Sequence, residues 1–375
     1  MDSQSIPDDP DDQIILVVRQ SNRPFAPWQD PATATNYGPM PSPALTVCGM
    51  IAKGKKEAAA DKHRLVRGFK VSMKRLAEVS PFFENWSTSI PGNFEFEVVD
   101  MHAFAILLDI IHRRFDRVPT KVSLEMLAKI AELVSYLKCG KFMHTFPRTW
   151  IDNAWKDGSY LAYGRELVLW VHISSVFQDS AKFQIVTLRV MMLWGGKFGA
   201  LGLSIDSDII RNVNKRRDDT LCKMITILHK FVSRMRKGET NCGTLCEAIL
   251  LGSIFKQLPF RYFMPPPLAA GTRNTIVRVL EDVLELKDPR REDSDNEAES
   301  SEHESSESAG NSESESETNN NATGNCLGNE RECGFKGLAT DIETEVTRMK
   351  GLRLYSESLS QSWTETWEMC AFGAL

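Results

Sequence analysis

Between Asp288 and Thr318 the chain carries twelve acidic residues against Arg290 and Arg291, set among Ser, Asn and Gly with almost nothing apolar, a local charge of -10. Such a stretch cannot bury enough surface to offset the entropy of ordering, so 288–332 reads as an acidic Ser/Glu-rich disordered segment. Whatever folds is built mainly from residues 12–287, with 333–355 as a short helix docking back on the helical part and 356–375 as a tail. The whole chain of 375 residues carries -5, which leaves the remainder mildly basic, at about +5. That balance excludes a strongly basic nucleic-acid binder at whole-chain level. A hydrophobic content of 42% suffices for a core. The first twelve residues hold five Asp and no Lys or Arg, the reverse of a secretory signal. The longest apolar runs, such as Leu245 to Phe255, fall short of the ~18 residues of a membrane span. Eight Cys without a signal read as reduced thiols, and the expected location is cytoplasmic or nuclear.

The apolar run Gln13 to Arg19 has the pattern of a buried strand, and Gly68 to Val71 of a second. Residues 20–66 between them hold six Pro and no sustained period, and read as an irregular insertion. Ser72 caps a helix from Met73 to Val79; Ser80 caps the next, with Pro81 at its first position. Phe94 to Val98 alternates as a half-buried strand, and Asp100 caps a helix over Met101 to Arg114 whose apolar residues form one stripe. Ser123 caps Leu124 to Lys138, and a helix over about Lys141 to Trp155 follows. From there the spacing predicts helices only: Glu166 to Gln178, Ser180 to Trp194, Asp208 to Lys237, Leu245 to Leu258, Thr275 to Leu286 and Leu338 to Leu354.

Strand, strand, helix, helix, strand and then a run of helices is the order of a BTB/POZ domain. The phrases FKVSMKRLAEVSPFF, AFAILLDIIHRR and VSLEMLAKIAELVSYLKC resemble the filamentous-fungal branch of that family. The resemblance covers Phe69 to about Trp155 and extends more weakly to Leu354. It implies an α+β fold: a BTB/POZ-like domain over 12–155, a small mixed sheet flanked by helices, followed by an all-α domain over 156–287. It also implies a non-enzymatic interaction module that pairs with itself or another protein, as an adaptor whose partners include a cullin-type ubiquitin ligase scaffold or a transcriptional complex. The chain departs from the family between its first two strands, where most members have a short hairpin and this one has residues 20–66.

No Gly-rich phosphate loop, HExxH, GxSxG or CxxC occurs. Gly195 to Gly199 reads as a helix-terminating loop rather than a phosphate cradle. His112 and His172 read as satisfied or surface side chains rather than catalytic bases, so no catalytic residue and no cofactor is assigned. His229, Cys242, Cys246 and Cys333 are the only set with zinc-ligand types, and buried unpaired thiols account better for the cysteines. The basic clusters Lys215 to Arg217 and Arg234 to Lys237 read as a solvated face more readily than as a nucleic-acid footprint. A zinc-containing or nucleic-acid-binding regulator acting through the helical half is the alternative function.

Overall fold

The computed structural model describes residues 13–28, 66–87, 94–143, 147–240, 243–264, 274–289 and 334–354. They form a mixed α+β molecule, mostly helical, with one three-stranded sheet. The chain divides into two compact units, Met1–Lys215 with Lys350–Leu375, and Arg216–Met349. The predicted acidic segment, most of the insertion and the tail lie outside the described residues.

In the first unit the sheet runs β2-β1-β3, with β1 at Gln13–Gln20, β2 at Val66–Ser72 and β3 at Phe94–Val98. β1 and β2 are antiparallel, from Gln13 opposite Ser72 to Arg19 opposite Val66. β1 and β3 are parallel, from Leu16 opposite Phe94 to Gln20 opposite Val98. A parallel neighbour needs a crossover, and helices α1 (Met73–Val79) and α2 (Pro81–Ser87) supply it. The apolar run of β1 is not buried on both faces, contrary to its continuous pattern. Leu16 and Val18 are fully buried while Ile15 is 62% exposed, as expected of a sheet with helices on one side.

Three helix starts follow the predicted capping residues, whereas the Ser80 hydroxyl donates to the Leu137 carbonyl. The Ser72 hydroxyl accepts from the Arg75 amide, Asp100 from His102 and Ala103 at the head of α3 (Met101–Ile111), and Ser123 from Met126 at the head of α4 (Leu124–Tyr136). The periodicity overruns three helix ends, although those at Val79, Trp155 and Lys237 follow it. α3, α4 and α7 (Arg165–Val176) each stop two or three residues before the predicted end. The cause is the same each time. Arg113, Lys138 and Gln178 take left-handed φ of 58, 54 and 57°, and the next amide bonds back five residues, Arg114 to Asp109, Cys139 to Val134 and Asp179 to Ser174.

The single helix expected over 141–155 is two, α5 (Gly140–Met143) and α6 (Arg148–Trp155), because Pro147 stands at the N-cap of the second. α7 and α8 (Ser180–Leu193) complete the first unit's helices before α9 (Ser207–Lys237), within which the division at Lys215 and Arg216 falls. Packing groups α7 and α8 with the sheet-bearing unit, whereas element order alone starts a helical domain at 156; α4 packs on α7, and α7 on α8.

The second unit holds most of α9, then α10 (Thr244–Gln257), a 3-10 turn at Phe260–Phe263, α11 (Ile276–Leu284) and α12 (Phe335–Thr347). α12 ends well before Leu354, the predicted end, and the chain returns to the first unit. There the Leu352 amide donates to Thr187 Oγ1 at 2.9 Å on α8. A Cβ on Gly351 would meet the Gln184 carbonyl oxygen at 1.8 Å, so only glycine permits this approach.

Candidate functional site

The outer face of the sheet mixes exposed and half-buried residues: Ile15 and Val66 are exposed, Val17 and Arg19 half-buried. Register places Ile15, Val17 and Arg19 of β1 beside Lys70, Gly68 and Val66 of β2. Side chains alternate across a strand, so these six share one face while Leu16, Val18 and Val71 point inward. Val66, opposite Arg19, is 54% exposed at one end of this face and Ile15, opposite Lys70, is 62% exposed at the other; the Ile15 side chain lies over Gly68, where a Cβ would meet its Cγ2 at 3.1 Å. Among the described residues β2 and β3 each have a partner on one side only, so both present an unpaired backbone edge.

Beyond β1 the chain is held by a charged network. Arg165, at the start of α7, donates to the Ala26 carbonyl at 2.8 Å and the Phe25 carbonyl at 3.0 Å, and pairs with Glu125 at 3.2 Å. Lys129 bridges Glu125 at 3.0 Å and Asp100 at 3.1 Å, joining the caps and helices that bracket the sheet. Hydrogen bonding from Lys129 holds the Glu125 carboxyl below its ordinary pKa. Burial pushes Asp100 upward, but the Ala103 amide and the Lys129 ammonium together bring it below the usual carboxylate range. This lattice fixes where residues 21–28 leave the sheet.

A second polar group lies deeper. Glu132 on α4 stands 3.1 Å from His172 Nε2 on α7, with side-chain exposures of 7% and 0%. The contact is an ion pair by distance without the angle of a good hydrogen bond, and His172 Nδ1 has no partner among the described residues. Ser204 closes the group, donating its amide to Glu132 at 3.0 Å and its hydroxyl at 2.6 Å. Burial raises the Glu132 carboxyl, yet His172 and Ser204 outweigh it and leave it below its ordinary value. The three residue types are those of a hydrolytic triad in the wrong order. The serine proton goes to the carboxylate rather than to the imidazole, so nothing activates the hydroxyl as a nucleophile. The arrangement fastens α4 to α7 and anchors the chain after α8.

His112 is also structural: its Nδ1 donates to the Leu108 carbonyl, and Nε2 accepts the Ser72 amide at 3.0 Å. Both ring nitrogens are occupied in the neutral form. Gly195 to Gly199 follows the end of α8 and is clamped by Asn214, which accepts from the Phe198 amide and donates to its carbonyl. Burial pushes the Cys139 thiol up to about 12, far from a reactive thiolate.

Of the four zinc candidates, His229 lies on α9 with Nε2 donating to the Tyr262 carbonyl at 2.8 Å, and Cys246 lies half-buried on α10. Cys242 and Cys333 lie outside the described residues. Among the described residues no three His, Cys, Asp or Glu side chains gather as a metal site. The same holds for membrane spans: no described helix is long and apolar enough to cross a bilayer. The first basic cluster is split by the fold, since Arg217 is buried and bound to Asp218 while Arg216 is exposed; in the second, Arg234, Arg236 and Lys237 are all exposed. No family model, curated protein or solved structure matches this chain.

Proposed function

We propose that this protein is a non-enzymatic interaction module of BTB/POZ type, associating with a second copy or another protein through its sheet. The reading rests on the resemblance of Phe69 to Trp155, and on a mixed sheet whose element order is the one that resemblance implies. The observation that carries it is the outer face of the sheet, where Ile15 and Val66 are more than half exposed and where, among the described residues, β2 and β3 each have a strand partner on one side only. Exposed apolar residues flanking free backbone donors and acceptors suit pairing with another chain. A partner such as a cullin-type scaffold would be recognised by the same module.

The full chain is the object to test, because α4 packs on α7 and a segment ending at 155 would strip that cover away. Sedimentation across a concentration series should show self-association that Ile15→Lys combined with Val66→Lys weakens at least tenfold. Both side chains already face water, so the melting temperature should hold. A chain that stays monomeric throughout, and binds no protein partner in a manner sensitive to these substitutions, overturns the proposal.

A further inference from the structure

The second unit carries a charged face with a specific geometry. Arg216, Lys223, Lys230 and Lys237 repeat every seven residues along α9, and all are exposed. At 1.5 Å per residue they stand about 10.5 Å apart over ~31 Å, drifting only ~20° per step. Arg234 lies between the last two on the same face, while Leu221, Met224, Ile225 and Leu228 are buried on the other side. Acidic groups temper part of the row. Asp219 is exposed within it, Glu345 pairs with Lys223 at 2.7 Å, and Glu239 lies 3.6 Å from Lys237. Lys230 and Arg234 make no ion pair among the described residues.

The opposite charge is on the same chain, and the helix that follows it begins beside this row. Residues 292–317 hold eleven acidic side chains and no Lys or Arg. Downstream the chain enters α12 at Phe335, whose ring lies 6.2 Å from that of Phe231, next in sequence to Lys230. Upstream it leaves α11 at Lys287, whose amide and carbonyl are both bonded to Gln257 of α10. Both tethers belong to the second unit. The intervening residues 290–333, at up to ~3.3 Å each, reach several times the length of the row.

We propose that the Lys230, Arg234 and Lys237 face of α9 is a docking surface for the chain's own acidic segment, residues 292–317. Charge complementarity supplies the attraction. Tethering at both ends supplies a millimolar-scale local concentration that a separate polyanion must exceed. A nucleic acid fits less well, since charges ~10 Å apart on a single helix meet few phosphates and the neighbouring Phe231 is engaged with Phe335 rather than free to stack. The contact makes the surface self-covered: any other acidic partner of this face binds by displacing the segment.

Carbodiimide coupling of the full chain, which joins an amine directly to a carboxylate, tests this at about 50 mM salt. The expected products link Lys230 or Lys237 to acidic residues of 292–317, and they disappear at about 0.5 M salt. Mixing isotope-labelled with unlabelled chains identifies the source: links within one copy support the proposal, and links only between copies overturn it. A chain lacking residues 293–320 should bind a synthetic 293–320 peptide that the full chain does not. Lys230→Glu, Arg234→Glu and Lys237→Glu together should weaken that binding at least tenfold. Arg236→Glu, on the far edge of the same helix, matches one charge change and should leave binding intact. Absence of both the links and peptide binding, or a deleted chain that takes up a single-stranded DNA oligonucleotide in preference to the peptide, overturns the proposal.

Discussion

α7 and α9 are both regular helices, but they obey different rules. On α7 eight consecutive residues, Leu167 to Ser174, are buried, so there is no wet side on which a polar group could rest. The polar groups that occur are turned inward: Ser174 donates to the Trp170 carbonyl, Trp170 Nε1 donates to Ser159, and His172 lies 3.1 Å from Glu132 with its Nδ1 left without a partner among the described residues. On α9 one side is buried and the other carries Lys and Arg in water. In the first setting a polar atom is costly unless it has a partner, whereas in the second a charge costs nothing and is free to meet a ligand. Substitutions around α7 should therefore read as stability, and substitutions on the outer face of α9 as binding.

The sharpest way to break that contrast is Leu127→Asp on α4, which packs against α7. Leu127 is fully buried, and an unpaired carboxylate there should cost more than about 4 kcal/mol and unfold the first unit. A melting temperature within a few degrees of the parent would refute the packing described. Glu132→Gln comes next, at about 3 kcal/mol, because it strands His172 and leaves Ser204 with a poorer acceptor. Its pH dependence has a definite sign. The folded carboxyl lies below its ordinary value, so its stabilisation is complete above about pH 4.5 and is lost as pH falls through the depressed value. Denaturant titrations of parent and variant should differ most near neutrality and converge in acid; a gap that widens in acid would mean another group is responsible.

Gly351→Ala should cost about 2 kcal/mol by forcing the returning chain off the Gln184 backbone. Amide exchange at Leu352, protected by Thr187 in the parent, should speed up markedly, and unchanged protection would show that the approach tolerates a side chain. The smallest effect has the opposite direction. Gln178→Gly, at a left-handed position closing α7, should stabilise by about 0.5–1 kcal/mol, because glycine pays no penalty there. A neutral or destabilising result would mean that the Gln178 side chain, which donates to the Ser175 carbonyl at 2.7 Å, offsets its backbone strain.

Those helix ends also show how far the sequence could be read. Starts were legible at Ser72, Asp100 and Ser123, which announce themselves chemically and each accept an amide three residues on, whereas Thr275, read as the first helical residue, is the cap. Some stops were legible: helices end at Val79, Trp155 and Lys237 as the pattern predicts, the last followed by Gly238 with φ of 65°. Arg113, Lys138 and Gln178 perform the same closure with side chains that ordinarily continue a helix, so periodicity overran them. The one-sided burial of β1 was hidden because Ile15 and Val17 are as apolar as the residues beneath them. At the candidate surfaces the residue types were visible but their grouping was not. Nothing in Lys215-Arg216-Arg217 marks Arg217 as the buried one, and Glu132 and His172 meet only because α4 and α7 pack together.

The return of the chain at Gly351 and Leu352 has a consequence for biosynthesis. The first unit is incomplete until the ribosome has passed residue 354, because part of the cover of α8 is encoded after the whole of the second unit. At ordinary elongation rates that interval lasts on the order of ten seconds. During it the Thr187 hydroxyl and the apolar flank of α8 await their last neighbour. The second unit can meanwhile fold as a closed excursion, and a nascent chain arrested within it would expose a seam that a chaperone can hold.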